Sequence, residues 1–341
     1  MGCVYHRSKL ILVLIMSFMT FMSSAQDIHF SQFYASPLTL NPALTGLTNC
    51  TYRGAAIYRS QWRSISSPYV TIGSSFDMNL LKGKINNDYI GVGLLFTDDF
   101  AGSSSFTSMQ AMGSFAYHKA LGRYHQISAG IQLGLAQKSV NLVGLTFPNQ
   151  VNGTGTAYDP SLPNSESIGN SLSYFDYQAG LFYFGQINDL LRVFNGVSLH
   201  HLTQPEESFM GATNKIPMRI TSHGGLTALF SNNWKLTSHY IVLIQANALE
   251  INLGSAIEFD LPDNSDPDKF VSVGGYYRFN DAFVFVVGVG FINFSMGISY
   301  DINLSSLNTA SNYKGGLELS LVYEGCIEKA VRSFKMECPK W

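Results

Sequence analysis

Toward the C-terminus of this chain, apolar and polar side chains alternate one for one. Ile292, Phe294, Met296, Ile298, Tyr300 and Ile302 interleave with Asn293, Ser295, Gly297, Ser299, Asp301 and Asn303, and Leu317, Leu319, Leu321 and Tyr323 interleave with Glu318, Ser320 and Glu324. A period of two is that of a β-strand whose faces meet different surroundings. Runs of about 10 residues suit strands with lipid on one side and a polar lumen on the other. The pattern recurs upstream. Val70, Ile72, Phe76 and Met78 oppose Thr71, Gly73, Ser75 and Asp77; Ile127, Ala129, Ile131, Leu133 and Leu135 oppose Gln126, Ser128, Gly130, Gln132 and Gly134; Leu249, Ile251, Leu253, Ile257 and Phe259 oppose Glu250, Asn252, Gly254 and Glu258.

A soluble sandwich is the competing reading, and composition separates the two. The polar face of a sandwich is bathed in water and carries many Lys and Glu. Here those positions are mostly Gly, Ser, Asn and Gln, and charged residues are 13% of the chain, against about 25% for a soluble domain. The fold class expected is therefore all-β: a transmembrane antiparallel β-barrel. Strands are predicted near 52–60, 68–78, 90–98, 104–118, 124–137, 173–184, 191–201, 216–230, 234–244, 248–259, 269–279, 282–290, 291–303 and 315–324, which makes 14. With both termini periplasmic, the long connections 139–172, 203–214 and 304–314 face outward, whereas 119–123, 185–190 and 231–233 are short inner turns. The segment 260–268 is the one medium-length inner connection.

The N-terminus carries an address. Arg7 and Lys9 precede the apolar stretch 10–22, and Ser23-Ser24-Ala25 offers small residues for a signal peptidase, so residues 1–25 are expected to be a signal peptide and the mature chain to begin at Gln26. No later segment has the length of apolar sequence a membrane helix needs, and a secreted chain of strands fits an outer membrane, where closed barrels satisfy every backbone group in lipid. The segment 26–50 is expected to be a hatch or plug in the periplasmic mouth: Phe30, Phe33, Tyr34 and Leu38 are too apolar for a solvated tail, and Pro37 and Pro42 break sheet pairing. The barrel then spans 51–325, and 326–341 is a periplasmic tail. A net charge of −2 gives no nucleic-acid footprint. Cys50, Cys326 and Cys338 remain after cleavage, so at most one disulfide can form; the sequence does not choose the pair, proximity favours Cys326 with Cys338, and unpaired thiols are the equal alternative.

By parity the inward faces collect Arg53, Arg59, Asp77, His200, Arg219, His223, Glu250, Glu258, Asp301 and Glu318. With no single-sign ring among them, a closed lumen is preferred to an ion path, Asp77, Glu250, Glu258, Asp301 and Glu318 pairing with Arg53, Arg59 and Arg219. His200 and His201 are adjacent on a strand and point to opposite faces, one to the lumen and one to the rim, so they do not chelate a metal together. No cofactor is implied. Nucleophile-elbow, zincin, Walker and CxxC signatures are all absent, and an enzyme is not expected.

Several stretches carry a family resemblance. Gln26-Asp27, Phe30-Ser31-Gln32-Phe33-Tyr34, Pro37-Leu38, Asn41-Pro42-Ala43 and Gly46 resemble the mature N-terminus of the PorP/SprF family of type IX secretion system outer-membrane proteins. Arg59, Gln61-Trp62, the segment Gly196 to Pro205 with its His200-His201 and Gln204-Pro205, Gly297 to Asp301, Gly315 to Ser320 and Cys338-Pro339 resemble the same family in the same order. Asp99-Phe100 before Ala101-Gly102 and the insertion 149–170 depart from it. The resemblance implies a non-enzymatic outer-membrane barrel of the Bacteroidetes group that supports export or surface attachment of a cargo protein such as a gliding adhesin. Its partners would be that cargo, periplasmic secretion components, and the lipid bilayer with its lipopolysaccharide. Phe147, Tyr158, Phe209 and Tyr313 on the long loops are candidate cargo anchors. Asn41-Pro42-Ala43 also resembles the hatch of FadL-type channels, so the alternative is a transporter of hydrophobic small molecules.

Overall fold

A computed structural model describes residues 27–327 apart from 65–66, 86, 103–105, 142–146, 152–157, 160–161, 163–168, 210–212, 232, 262–268 and 307. The expected signal peptide and Cys338 lie outside the described residues. The period-two runs become β1 (Tyr52–Gln61), β2 (Tyr69–Ile85), β3 (Asp88–Ala101), β4 (Phe106–Ala120), β5 (His125–Ser139), β6 (Ser171–Asn188), β7 (Leu191–His200), β8 (Arg219–Leu229), β9 (Trp234–Gln245), β10 (Ala248–Asp260), β11 (Phe270–Arg278), β12 (Ala282–Phe291), β13 (Phe294–Asn303) and β14 (Lys314–Gly325). Each strand pairs antiparallel with its sequence neighbours, and β14 returns to β1 in an unbroken register from Tyr52 opposite Gly325 to Gln61 opposite Gly316. Closure removes every sheet edge, which lipid demands because it offers no partner to a free backbone group.

The burial pattern is inverted relative to a soluble protein. Leu94, Ile131, Leu181, Val273 and Ile298 are more than half exposed on the outer wall, whereas Arg53, Arg59, Asp77, His118 and Glu318 are at most 2% exposed inside. Such a continuous outer apolar surface is stable only against lipid. Among the described residues no helix is long and apolar enough to cross a membrane, so the crossing elements are the strands. Near one rim, rings of Phe76, Tyr52, Tyr323, Phe294 and Phe291 follow one another at centroid spacings of 6.0, 6.0, 4.7 and 6.1 Å. Near the other stand the pairs Trp62–Tyr69 and Tyr277–Phe279, each at 5.0 Å. Amphipathic rings at both ends of the apolar band mark its two interfaces with the headgroups.

The connections sort by rim. The first residue of β1 and the last of β14 share what we term the closing rim with the strand ends joined by the connections 86–87, 121–124, 189–190, 230–233, 261–269 and 292–293. The strand ends joined by the three longest connections, 140–170, 201–218 and 304–313, stand at the opposite, long-loop rim. Most strand boundaries differ from expectation by a few residues, β6 for example ending at Asn188 instead of 184 and β8 starting at Arg219 instead of 216, and two differences change a connection. β2 runs on to Ile85, beyond the alternation that ended at 78, and the expected junction between strands at 290 and 291 is a two-residue turn at Ile292 and Asn293, with φ of 46° and 66°. Hairpin turns need a left-handed backbone, and the usual Asn-Gly signal is missing there because Ile292 takes the first position.

Candidate functional site

The lumen is occupied by the chain's own first described segment. Pro37 and Pro42 cannot donate to a sheet ladder but suit the first turn of a helix. The backbone accordingly makes three single turns, Phe33–Ala35, Pro37–Leu40 and Pro42–Leu44. The Asn41 side chain accepts from the Ala43 backbone N–H at 2.8 Å and caps the third. Phe33, Leu40, Ala43, Leu44 and Leu47 pack on Phe182, Phe184, Phe194 and Ile241 of the wall, forming an apolar core inside a barrel whose lumen also holds many buried polar side chains. Small wall residues let the segment lie against the strands. A Cβ at Gly91 would overlap the Thr45 carbonyl oxygen, and one at Gly180 would overlap the Asn41 side chain.

Three polar stations fasten the segment. At the long-loop rim, Asp27 meets residues from three strand ends: its carboxylate lies 2.7 Å from His201 Nε2, 3.0 Å from Gln245 Nε2 and 3.3 Å from Arg219 Nη1, and its backbone N–H donates to Gln245 Oε1 at 3.1 Å. The other ring nitrogen of His201 lies 2.9 Å from Asp176. Burial would raise the Asp27 carboxyl, but the Arg219 guanidinium and the His201 and Gln245 contacts hold it well below the usual carboxylate range. Burial would lower His201, yet hydrogen bonds to Asp176 and Asp27 raise it to about 9.

At mid-lumen, Glu318 accepts from the backbone N–H groups of Ser31 and Gln32 at 2.7 and 2.9 Å, and Asp301 accepts from the Ser31 hydroxyl at 2.9 Å. These carboxylates are paired in turn. Arg59 lies 3.4 Å from Asp301 and 3.2 Å from Glu318, and Arg278 lies 2.8 Å from Asp301. Toward the closing rim, Asp77 accepts from the Gly46 N–H at 2.6 Å and binds Arg53 through both carboxylate oxygens at 2.8 and 3.0 Å. Arg53 also donates to the carbonyls of Leu44 and Leu47, both at 3.1 Å. Between these stations Asn41 Nδ2 donates to the Leu181 carbonyl at 3.0 Å and lies 3.0 Å from His223 Nε2, while Tyr34 stacks on His239 at 5.1 Å.

Of the expected lumen pairs, Arg53 with Asp77 and Arg59 with Asp301 and Glu318 stand together. The others have different partners: Arg219 pairs with Asp27, Glu250 with His29 at 3.4 Å, and Glu258 with Lys235. A strand-only reading places carboxylates opposite guanidiniums on the wall and overlooks a second chain between them. Arg278 and Asp176 join these contacts beyond the residues the sequence singles out, although inward parity with Tyr276 and with Tyr174 marks both positions. The histidine pair also differs from strict alternation. β7 ends at His200, and His201 has φ 56°, so both rings are buried: His200 beside Ser198 at 3.0 Å and His201 on Asp27. Gln204 and Pro205 shape the following loop, where the Pro205 carbonyl accepts from Ile216 at 3.0 Å and the Gln204 side chain stays exposed. Of the loop aromatics, Phe209 packs on Phe106 at 6.2 Å, Phe147 is half-buried, and Tyr158 and Tyr313 are exposed. No group of three or more metal-ligating side chains occurs among the described residues.

Two further expectations are corrected. The disulfide joins Cys50 to Cys326, across a sequence separation of 276, instead of closing the short tail loop. The end of the inner segment and the end of β14 meet at the closing rim, a proximity invisible along the chain. The ends of the described chain also do not share a side. Asp27 sits at the long-loop rim beside His201 and Gln245, and Ile327 sits at the closing rim, bonded through its N–H to Thr51 Oγ1 at 3.0 Å. The inner segment therefore crosses the whole lumen and is not confined to one mouth.

Among solved structures, the chain is similar to the CymD monoaromatic hydrocarbon channel, at 10% identity and a TM-score of 0.48 over 86% of this chain and 94% of that one. It is similar also to the Pseudomonas putida toluene transporter TodX, at 10% identity and 0.48 over 88% and 94%, and to a Pseudomonas aeruginosa FadL homologue, at 9% and 0.48 over 83% and 92%. None of the curated proteins matches it. A family model described as type IX secretion system membrane protein PorP/SprF matches residues 22–323, taking in the inner segment, the His200-His201 turn and all but the end of the closing strand, and the chain belongs to that family.

Proposed function

We propose that this protein is a non-enzymatic outer-membrane scaffold of the type IX secretion system that holds a secreted cargo protein, adhesin-like, at its long-loop rim and meets periplasmic secretion components at its closing rim. The observation that carries this reading is the filled lumen. Segment 27–50 is fastened at three stations, by an ion pair from Arg219 to Asp27 and by backbone hydrogen bonds to the buried Arg59–Glu318 and Arg53–Asp77 pairs of the wall, and lies directly on that wall, so the barrel resists opening and its work falls to the two rims. The hatch-like role of this segment belongs to the same proposal, as does an orientation that faces the long loops outward, into the lipopolysaccharide leaflet.

A second reading, passage of a hydrophobic small molecule, is favoured by one feature: a recess between the segment and β9–β14 lined by Tyr34, His239, Phe270 and Tyr276. Planar-bilayer recording separates the two. The scaffold predicts no large stable conductance, and removal of 149–170 leaves a heat-modifiable barrel that displays less cargo. Large open channels in the wild-type protein, or normal cargo display after the deletion, would overturn it.

A further inference from the structure

We propose that the outer wall over β2–β5 is a binding site for one anionic phospholipid, whose acyl chain lies in a groove floored by Gly113 and whose phosphate meets Lys119, Lys84 and Arg123 at the closing rim. That the leaflet concerned is the periplasmic one rests on the scaffold reading above; the site itself does not.

The groove comes from one small residue in a bulky row. Phe76, Leu94, Gly113 and Leu133 stand opposite one another across the four strands, and the next row is Met78, Val92, Phe115 and Ile131. Leu94, Ile131 and Leu133 are at least half exposed, so the ridges on either side of Gly113 reach into the lipid. A Cβ built on Gly113 would meet nothing nearer than the Leu133 carbonyl oxygen at 3.8 Å. The gap between these side chains is a groove of about 510 Å³. That is roughly the space of 17 waters at about 30 Å³ each. A methylene takes up about as much room as a water, so an acyl chain of ordinary length fits. The groove begins at Phe76, in the aromatic band of the closing rim, and runs from there into the apolar wall, where hydrocarbon chains surround the barrel.

The charge stands at the end of the same strands. Lys119 shares the outward face of β4 with Phe115 and Tyr117. Its six-residue separation from Gly113 amounts to about 20 Å along a strand rising about 3.3 Å per residue, and to about 15 Å in height at a tilt of about 40°. That height is half of a hydrocarbon core about 30 Å thick. With Gly113 at the bilayer midplane, Lys119 therefore reaches the level of the phosphates. The neighbouring Asp88 carboxylate accepts from the Ala120 backbone N–H at 2.9 Å and from the Tyr117 hydroxyl at 2.5 Å. Lys119 is its more distant partner at 3.6 Å, and 57% of the lysine side chain stays exposed. Lys84, next to the end of β2, and Arg123, in the turn before β5, are exposed as well. Three cations thus stand against one carboxylate, and the excess positive charge is complementary to an anionic headgroup.

The test uses the full protein purified in mild detergent, with palmitoyl-oleoyl phosphatidylglycerol and phosphatidylethanolamine as probes and native mass spectrometry counting the lipid retained. Wild-type protein is expected to hold one phosphatidylglycerol with a preference of at least about fivefold over phosphatidylethanolamine. Gly113→Leu, whose side chain fills the groove without entering the lumen, should lose retention of both lipids. The triple variant Lys84→Gln, Lys119→Gln, Arg123→Gln should still retain one lipid but lose the preference. Heat-modifiable gel mobility checks that the variants assemble, and the triple variant, confined to exposed side chains, tests the site independently of the groove. No preference in the wild type, retention unchanged by Gly113→Leu, a preference unchanged in the triple variant, or lipid A held ahead of phosphatidylglycerol would overturn the site. So would a protein that copurifies with the wild type and is lost from Gly113→Leu, which would give the groove to a membrane partner. Neither conductance nor cargo display enters this measurement, so failure of the lipid site and failure of the scaffold reading give different outcomes.

Discussion

Replacing Arg53 by Met should destabilise the barrel by about 3–5 kcal/mol, because it strands a charge that has nowhere else to go. Asp77 is fully buried and Arg53 is 1% exposed, and their contacts at 2.8 and 3.0 Å form a two-point pair. Removing the guanidinium leaves Asp77 with the Gly46 N–H at 2.6 Å and withdraws two donors from the Leu44 and Leu47 carbonyls. Each lost neutral acceptor contact adds about 1 kcal/mol, but dispersion from the Met side chain offsets part of that, so the net stays near the range for a broken buried pair. The double variant Arg53→Met, Asp77→Leu removes both charges and should recover much of the loss, giving a coupling of at least about 2 kcal/mol. Urea unfolding in liposomes, followed by heat-modifiable gel mobility, measures all three variants. A single-variant loss under about 1 kcal/mol, or strict additivity in the double, would show that the pair does not hold the segment.

The Asp27 clasp should depend on pH in a stated direction. His201 is raised from its ordinary 6.5 to about 9, so its contribution is fully present below pH 6.5 and is lost as pH rises through about 9. The unfolding midpoint should fall between pH 7 and 10 in the wild type and much less in His201→Gln; equal falls would assign the effect elsewhere. Gly91→Ala should cost at least about 2 kcal/mol, because the new methyl meets the Thr45 backbone, whereas Gly113→Ala on the lipid face, where the nearest atom is Leu133 O at 3.8 Å, should be neutral in the same urea series. On non-reducing gels the disulfide should persist in Cys338→Ser and vanish in Cys50→Ser; the reverse result would restore the tail-loop pairing.

The wall of this barrel is legible in the sequence because each strand needs only local information. Lipid on one side and lumen on the other impose a two-residue period that no distant contact has to supply, and this is why all 14 strands and their even closure follow from alternation. The boundaries that moved are those where local signals were weak, such as the Ile292-Asn293 turn. Pro37 and Pro42 likewise exclude sheet pairing for the inner segment whatever surrounds it.

The site is different, because it is made of contacts between residues far apart in sequence. Parity says that Arg219 points inward, but not that Asp27 waits there, since the separation of two residues along a chain carries no information about a second chain laid through the lumen. The same limit hid the Cys50–Cys326 bond, whose partners meet only when the last strand returns to the first. His201 shows the boundary between the two kinds of knowledge. Alternation assigns it the face opposite His200, and that rule ends with the strand; one left-handed residue then turns the ring inward, where Asp27 and Asp176 receive it. Local periodicity thus determined the barrel, and tertiary closure alone decided what fills it, because burying a charge requires a partner and that partner can be supplied from any point in the chain.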